Sequence, residues 1–378
     1  MLTGFVNSRR RRADAVLFHY ALEATNDNWL HDTLLQMLVA GMDQIDAGHA
    51  LSAWPACIPA ARRLVLSPKT GLRDRRRTFF QAFEALDQPS RDSVRNALPT
   101  QNAIPAVFDG VSPWVRLEEL PASIREPTKE LFKFAFGLLT TVGLRDEHYR
   151  VIWQNLTRAK ICPFCGLERL KHPNQPRPDL DHYLPISRYP FAGANLRNLV
   201  PMGGDCNTAF KGQIDVVFDA VTNVRRRCCD PYTGPIFSVS LDGTNLFEAD
   251  GTLRLLPAWD IILHGGVHEF AATWDAVFKI RRRYSDILNE EYHGWIDHFG
   301  RWCADARSGI ELTDITSVIA AIIQYSETIL QEGMADTNFL RSATFTMLRR
   351  QIEADPDSDR VADWLKFLVA GFAPAVAA

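Results

Sequence analysis

The chain has 378 residues, 46% of them hydrophobic and 23% charged, and its 42 Lys and Arg against 45 Asp and Glu leave a net charge of -3. That is enough apolar material for two or three ordinary domains, and the balance excludes both a disordered chain and a uniformly basic, histone-like one. Nucleic acid stays open as a partner wherever basic residues concentrate locally.

In chain order, the opening MLTGFVNSRRRR places its apolar residues ahead of the arginines and lacks the apolar run of a secretory signal. Residues 1–155 then read as a helical region. Leu30, Leu34, Leu35, Leu38 and Met42 recur at helical spacing ahead of Gly48, and further helices are expected over 73–86, 121–139 and 146–156, joined by a Pro- and Ser-containing connection over 87–114. From 156 to 235 the texture turns to Pro, Gly, Asn, Asp and Cys with little helical period. Beyond it, Asp242-Gly243 and Asp250-Gly251 separate alternating apolar runs, which predicts a small antiparallel meander over 236–256. Helices resume over 274–302, 313–330 and 339–352, with a last one after the Asp355-Pro356 break, to complete a region 236–378. The uncharged tail from Phe367 contains Pro374 and is too short to span a bilayer. Seven cysteines, an odd number, suit a reducing cytoplasm better than a disulfide framework. No membrane association and a cytoplasmic location are the expectations.

Four elements carrying chemistry fall within the middle region. Cys162-Pro-Phe-Cys165-Gly is a Cys-x-x-Cys knuckle; Asp179-Leu-Asp181-His182, Asn195-Leu-Arg-Asn198 and Cys206-Asn207-Thr-Ala-Phe-Lys211 follow it. Their order and spacing resemble the HNH family of metal-dependent nucleases, whose ββα-metal fold joins two strands and a helix around one catalytic cation. The implied fold class is α+β: a central HNH module over 156–235 between mostly helical flanks, with the meander after it. The implied activity is hydrolysis of phosphodiester bonds in DNA, with RNA as the alternative substrate, using Mg²⁺ or Mn²⁺.

The residue chemistry agrees with that resemblance. Histidine titrates near neutrality and suits a general base, while Asp is a hard oxygen donor for a magnesium-type ion. An Asp-His pair on a strand points its two side chains to opposite faces. By position in the family's motif, His182 activates water, Asn198 orients it, and Asp181 with Asn207 holds the catalytic ion. Cys162, Cys165 and Cys206 are candidate ligands of a structural zinc. The second Cys-x-x-Cys of the family is incomplete because Gly203 stands where its first thiol would be. Cys228, Cys229, His172 and Asp205 are candidates for the fourth ligand.

Basic charge gathers around this region: residues 151–232 hold 11 Lys and Arg against 7 Asp and Glu. Lys211, Arg188, Arg197 and the run Arg225, Arg226, Arg227 are the expected nucleic-acid contacts, while Arg9 to Arg12, Arg75 to Arg77 and Arg281 to Arg283 read as solvated charge. Thr273-Trp274-Asp275 and Ile280-Arg-Arg-Arg283-Tyr284 are similar to a helical extension that follows HNH modules in bacterial proteins, several of them tied to anti-phage defence. That likeness implies an effector acting with an ATPase or sensor protein. A homodimer would serve double-strand cutting. The reading from a different class is a catalytically silent zinc-knuckle module that binds nucleic acid within a larger assembly.

Overall fold

The computed structural model describes residues 15–17, 20–113, 115–156, 160–176, 180–305, 307–331, 337–354 and 359–372. Arg9 to Arg12, Asp179 and the Asp355-Pro356 break lie outside the described residues. The chain mixes helices with short antiparallel strands.

The described chain opens on β1 (Ala15–Leu17), followed by helices α1 (Trp29–Asp46), α2 (Ala60–Leu66), α3 (Thr70–Glu84), α4 (Gln88–Asn102), α5 (Ile104–Phe108), α6 (Ala122–Thr141) and α7 (Leu144–Asn155). The middle of the chain carries β2 (Asp181–His182), β3 (Leu199–Val200), a helical turn with π-type bonding over Cys206–Lys211, β4 (Phe218–Asp219) and β5 (Val224–Arg225). Strands β6 (Phe237–Ser240), β7 (Asn245–Phe247), β8 (Leu253–Ala258) and β9 (Ile262–His264) precede α8 (His268–Phe278), α9 (Ile280–Ala304), α10 (Ile315–Gln331), α11 (Asn338–Ala354) and α12 (Arg360–Phe372).

The stretch 87–114, expected as a connection, is instead mostly helical. Asp87 caps α4 by accepting the Ser90 N–H at 3.0 Å, and Pro89 sits in the first turn, where its missing N–H costs nothing. Val94, Ala97, Leu98 and Gln101 bury one face of that helix, so packing holds it despite Pro99 inside it. The single helix expected over 274–302 is broken at Lys279, whose φ of 54° starts a new helix, α9.

The expected meander also resolves differently. Asp250-Gly251 turns a true hairpin, pairing β7 with β8. β6 pairs instead with β1 and β9, in the order β1-β6-β9, so Asp242-Gly243 leads out of a three-stranded sheet. A Cβ at Gly243 would meet the Asp260 carboxylate at 2.1 Å, and the Asp260 N–H donates to Thr244 Oγ1. This clasp fixes where the chain leaves the sheet.

The chain divides into two compact units, one drawn from Met1–Phe18, Thr157–Arg169 and Ile236–Ala378, the other from His19–Leu156 and Leu170–Pro235. The second unit is built on the apolar stripes of α1, α3, α4 and α6, with Leu38, Phe79, Phe80, Phe83 and Phe132 fully buried. Gly41 lets α1 approach the Phe80 ring, which a Cβ would meet at 2.2 Å. Leu180, Phe191, Ala194, Leu196 and Leu199 join the same core, Phe191 meeting Phe132 edge-on at 5.4 Å. Each such buried side chain contributes about 1.5–3 kcal/mol. The texture change near residue 156 therefore marks a change in local structure, and residues 170–235 share their core with the helices before them.

In the other unit Tyr284, Leu288, Phe299, Tyr325, Phe345 and Leu348 are buried among α9, α10 and α11, with Tyr325 and Phe345 at 4.7 Å. Among the described residues no helix is long and apolar enough to cross a membrane.

Candidate active site and thiol cluster

The strands β2 and β3 pair antiparallel, with Asp181 opposite Val200 and His182 opposite Leu199, and the Cys206–Lys211 turn begins shortly after β3 ends at Val200. The pleat sends the two leading side chains to different neighbours. Asp181 meets Lys211, whose Nζ lies 2.7 Å from Oδ2. His182 packs on the Phe136 ring at 4.3 Å, and its Nε2 lies 2.8 Å from the Gly193 carbonyl.

That carbonyl fixes the histidine chemically. A carbonyl oxygen only accepts, so in the neutral ring Nε2 carries the hydrogen and the basic lone pair falls on Nδ1. Gly193 makes the approach possible, since a Cβ there would meet Ile186 Cδ1 at 2.5 Å. Asn198 is completely buried; its Oδ1 accepts the Leu184 N–H at 2.7 Å and its Nδ2 donates to the Leu184 and Ala192 carbonyls. It acts on the loop after His182, with the Gly193 carbonyl making the contact on the ring.

Asp181 is nearly enclosed. Burial raises its pKa above the ordinary carboxylate value, and the adjacent Lys211 ammonium pulls the other way. Lys211, expected at a phosphate, is only 1% exposed and also donates to the His182 carbonyl at 2.8 Å. Asn207 opens the same helical turn and is partly exposed.

The arginines expected on nucleic acid are engaged within the protein. Arg225 donates to the Ser112 and Val107 carbonyls, and Arg226 to the Asp215 and Phe218 carbonyls and to Asp219. Arg227 binds Asp109, Arg197 binds Asp230 at 2.5 Å over the Tyr232 ring, and Arg188 lies beside Glu118 and over Phe218. A guanidinium spends its fixed fork of donors well on backbone carbonyls, which explains why these positions call for Arg.

Sequence reasoning did not single out Phe136, which packs on His182, or Arg145, whose guanidinium lies 4.7 Å over Phe136. Both sit on helices more than thirty residues before His182, and no spacing rule links them. Gly193 and Asn28 went equally unremarked.

The knuckle is built on its own unit. Ile161 bridges Arg169, the Cys162 N–H donates to the Glu168 carbonyl at 2.7 Å, and the Leu167 N–H points at Cys165 Sγ at 3.4 Å while that sulfur lies 3.7 Å from Glu168 Oε1. Trp274 Nε1 donates to the Phe164 carbonyl, Tyr284 to the Cys165 carbonyl, and Arg283 pairs with Glu168 at 3.2 Å. The two segments singled out beyond the module thus supply the knuckle's anchors. Within this unit the sulfurs of Cys162 and Cys165 are buried and lie within 4.8 Å of each other, a donor pair that could help hold a metal such as zinc, while Cys206 is buried in the other unit.

No protein-family model matches the chain, and no solved structure matches it. A phage protein, Protein ea31 of Escherichia phage lambda, is similar to it, with 34% identity over 101 residues. The match covers 24% of this chain and 32% of the phage protein, so the chain spans about a third of that relative's length.

Proposed function

We propose that the chain is a divalent-metal-dependent endonuclease of the HNH type that hydrolyses DNA, with His182 as general base. The observation that carries this reading is the 2.8 Å contact from His182 Nε2 to the Gly193 carbonyl on a strand whose other residue is a buried carboxylate. It sets one proton on Nε2 and the basic lone pair, the one that would take a proton from water, on Nδ1. Asn198 supports the reading by holding the loop that carries Gly193.

The donors present suit a hard cation. Asp181 is a buried carboxylate already set against a positive charge, and Asn207 offers an amide oxygen on the turn that also bears Lys211. Asp181 with Asn207 would hold the Mg²⁺ or Mn²⁺ ion, which when bound supplies charge stabilisation at the phosphate. Cys162, Cys165 and Cys206 are assigned to a separate, structural zinc. The odd count of seven cysteines supports a reducing, cytoplasmic setting.

The test is nicking of supercoiled plasmid with and without Mg²⁺ or Mn²⁺, comparing the full chain with His182→Ala. Metal-dependent cutting that disappears in the variant is expected; undiminished cutting by His182→Ala, or none by the wild type in either metal, overturns the reading.

A further inference from the structure

The loop that presents Gly193 is gripped from both sides by amide side chains of the N-terminal helices. Upstream of Gly193, Gln101 Oε1 accepts the Phe191 N–H at 3.0 Å, and Asn102 Nδ2 donates to the Phe191 carbonyl at 3.1 Å. Downstream, Asn28 Oδ1 accepts the Leu196 N–H at 3.0 Å. Asn195 joins the two grips, accepting from Asn28 Nδ2 at 3.3 Å and donating to Asn102 Oδ1 at 3.0 Å. Gln101 Nε2 closes the chain on the Val115 carbonyl.

We infer that Asn28, Gln101 and Asn102 are positioning residues for His182: they set the Gly193 carbonyl, and through it the ring nitrogen that carries the proton. Three features support this. Asn28 stands at the N-cap of α1, where Asn ordinarily accepts an N–H of the first turn, yet its side chain makes no cap bond and serves Leu196 instead. Gln101 and Asn195 are 2% and 8% exposed, and buried amides persist only when their polar atoms are satisfied, which here the loop does. Phe191 has both its N–H and its carbonyl held by adjacent residues of α4, which fixes the peptide direction two residues before Gly193. The amides themselves do not titrate; the titratable groups that face them are Asp32, which accepts from Asn28 Nδ2 at 3.3 Å, and His31, which faces Asn102. The grip also assigns a role to the helical region: a bare strand-strand-helix unit would lack both ends of the clamp.

The kinetic part of this inference rests on the nuclease reading; its spectroscopic part does not. The full chain is labelled with ¹⁵N-histidine, and long-range ¹H–¹⁵N correlations report which His182 nitrogen is protonated, the signal being assigned by its loss in His182→Gln. The wild type is expected to show the Nε2–H form alone. Asn28→Ala and Asn102→Ala are expected to show mixed tautomers, with kcat on a duplex oligonucleotide reduced about tenfold at unchanged KM. Asn28→Asp, which retains the Oδ1 acceptor for Leu196, is expected to restore the single tautomer, and serves if an alanine variant folds poorly. Retention of the pure Nε2–H form in both alanine variants overturns the inference. So does an Asn28→Asp spectrum as mixed as that of Asn28→Ala. A wild type that cuts nothing but shows the expected spectra defeats the nuclease reading and leaves the positioning role standing.

Discussion

Lys211 closes an ion pair with Asp181 at 2.7 Å while donating to the His182 backbone carbonyl at 2.8 Å, so a single ammonium ties down both residues of the Asp-His pair. Lys211 and Asp181 are 1% and 13% exposed at their side chains, which puts the pair out of reach of most solvent screening. Lysine at the end of a turn adjoining an Asp-His pair reads naturally as a phosphate contact. The fold uses its charge inward, to keep a buried carboxylate ionised.

Breaking such a pair on one side strands the other charge. Lys211→Met is expected to lose about 3 kcal/mol of stability, while the double change Lys211→Met with Asp181→Asn recovers most of that loss. Urea unfolding of the four proteins of the cycle measures it. Losses that simply add would mean the two groups do not interact.

The arginines lead to a prediction of opposite sign to the sequence expectation. Arg226 spends its donors on two backbone carbonyls and Asp219, with its side chain 16% exposed. Arg226→Ala is therefore expected to cost about 2 kcal/mol of folding stability, because the carbonyls it serves lose their donors. The salt dependence of DNA binding should stay the same, whereas loss of a phosphate contact lowers the slope by about 1. Denaturation midpoints and a salt titration of duplex binding separate the two.

What could be read from the sequence follows the range of the interactions. Helical periodicity located α1, α3, α6 and α7 because Leu34, Phe79, Leu131 and Ile152 repeat on one face within a few turns of their neighbours. The Asp181-His182 strand and the Cys206 turn were legible because local residue types mark them. The prolines of α4 misled, since burial of Val94 and Leu98 outweighs their local cost. The pairing of β6 with β9 was invisible for a different reason: Asp242-Gly243 reports a turn but not which strand comes next to the sheet. Phe136, Gly193 and the amides of α4 reach the site through tertiary contacts, so nothing adjacent in sequence announces them. The arginine run shows the converse, a clear charge signal whose destination only the fold decides.

The thiol cluster can be tested without any assay of catalysis. The buried Cys162 and Cys165 sulfurs, within 4.8 Å of each other on one knuckle, repel as thiolates, and a soft divalent ion would offset that repulsion. Protein produced with zinc in the medium is expected to retain it in stoichiometric amount, measured by elemental analysis, and Cys206→Ser is expected to lose most of it. Stripping the ion with a strong chelator should lower the unfolding temperature. Unchanged metal content in Cys206→Ser would remove that thiol from the site.

The last prediction concerns a histidine that takes no part in the chemistry. His31 lies buried in α1, and burial lowers its pKa from 6.5 to about 4, only partly offset by the Asn102 amide. The folded state thus favours the neutral ring, while the unfolded chain binds a proton once the pH falls below 6.5. Stability from this group is fully present above that value and declines toward pH 4, with about 2 kcal/mol lost by pH 5. His148, buried between the Ala24 and Leu199 carbonyls, also has its pKa lowered by burial and adds a loss of the same sign. His31→Gln removes one of the two titrations, so the stability difference between pH 7 and pH 5 should shrink by about 2 kcal/mol in urea unfolding, whatever the substitution costs at pH 7. An undiminished difference in His31→Gln would mean that His31 is already protonated, or already exposed, in the folded chain.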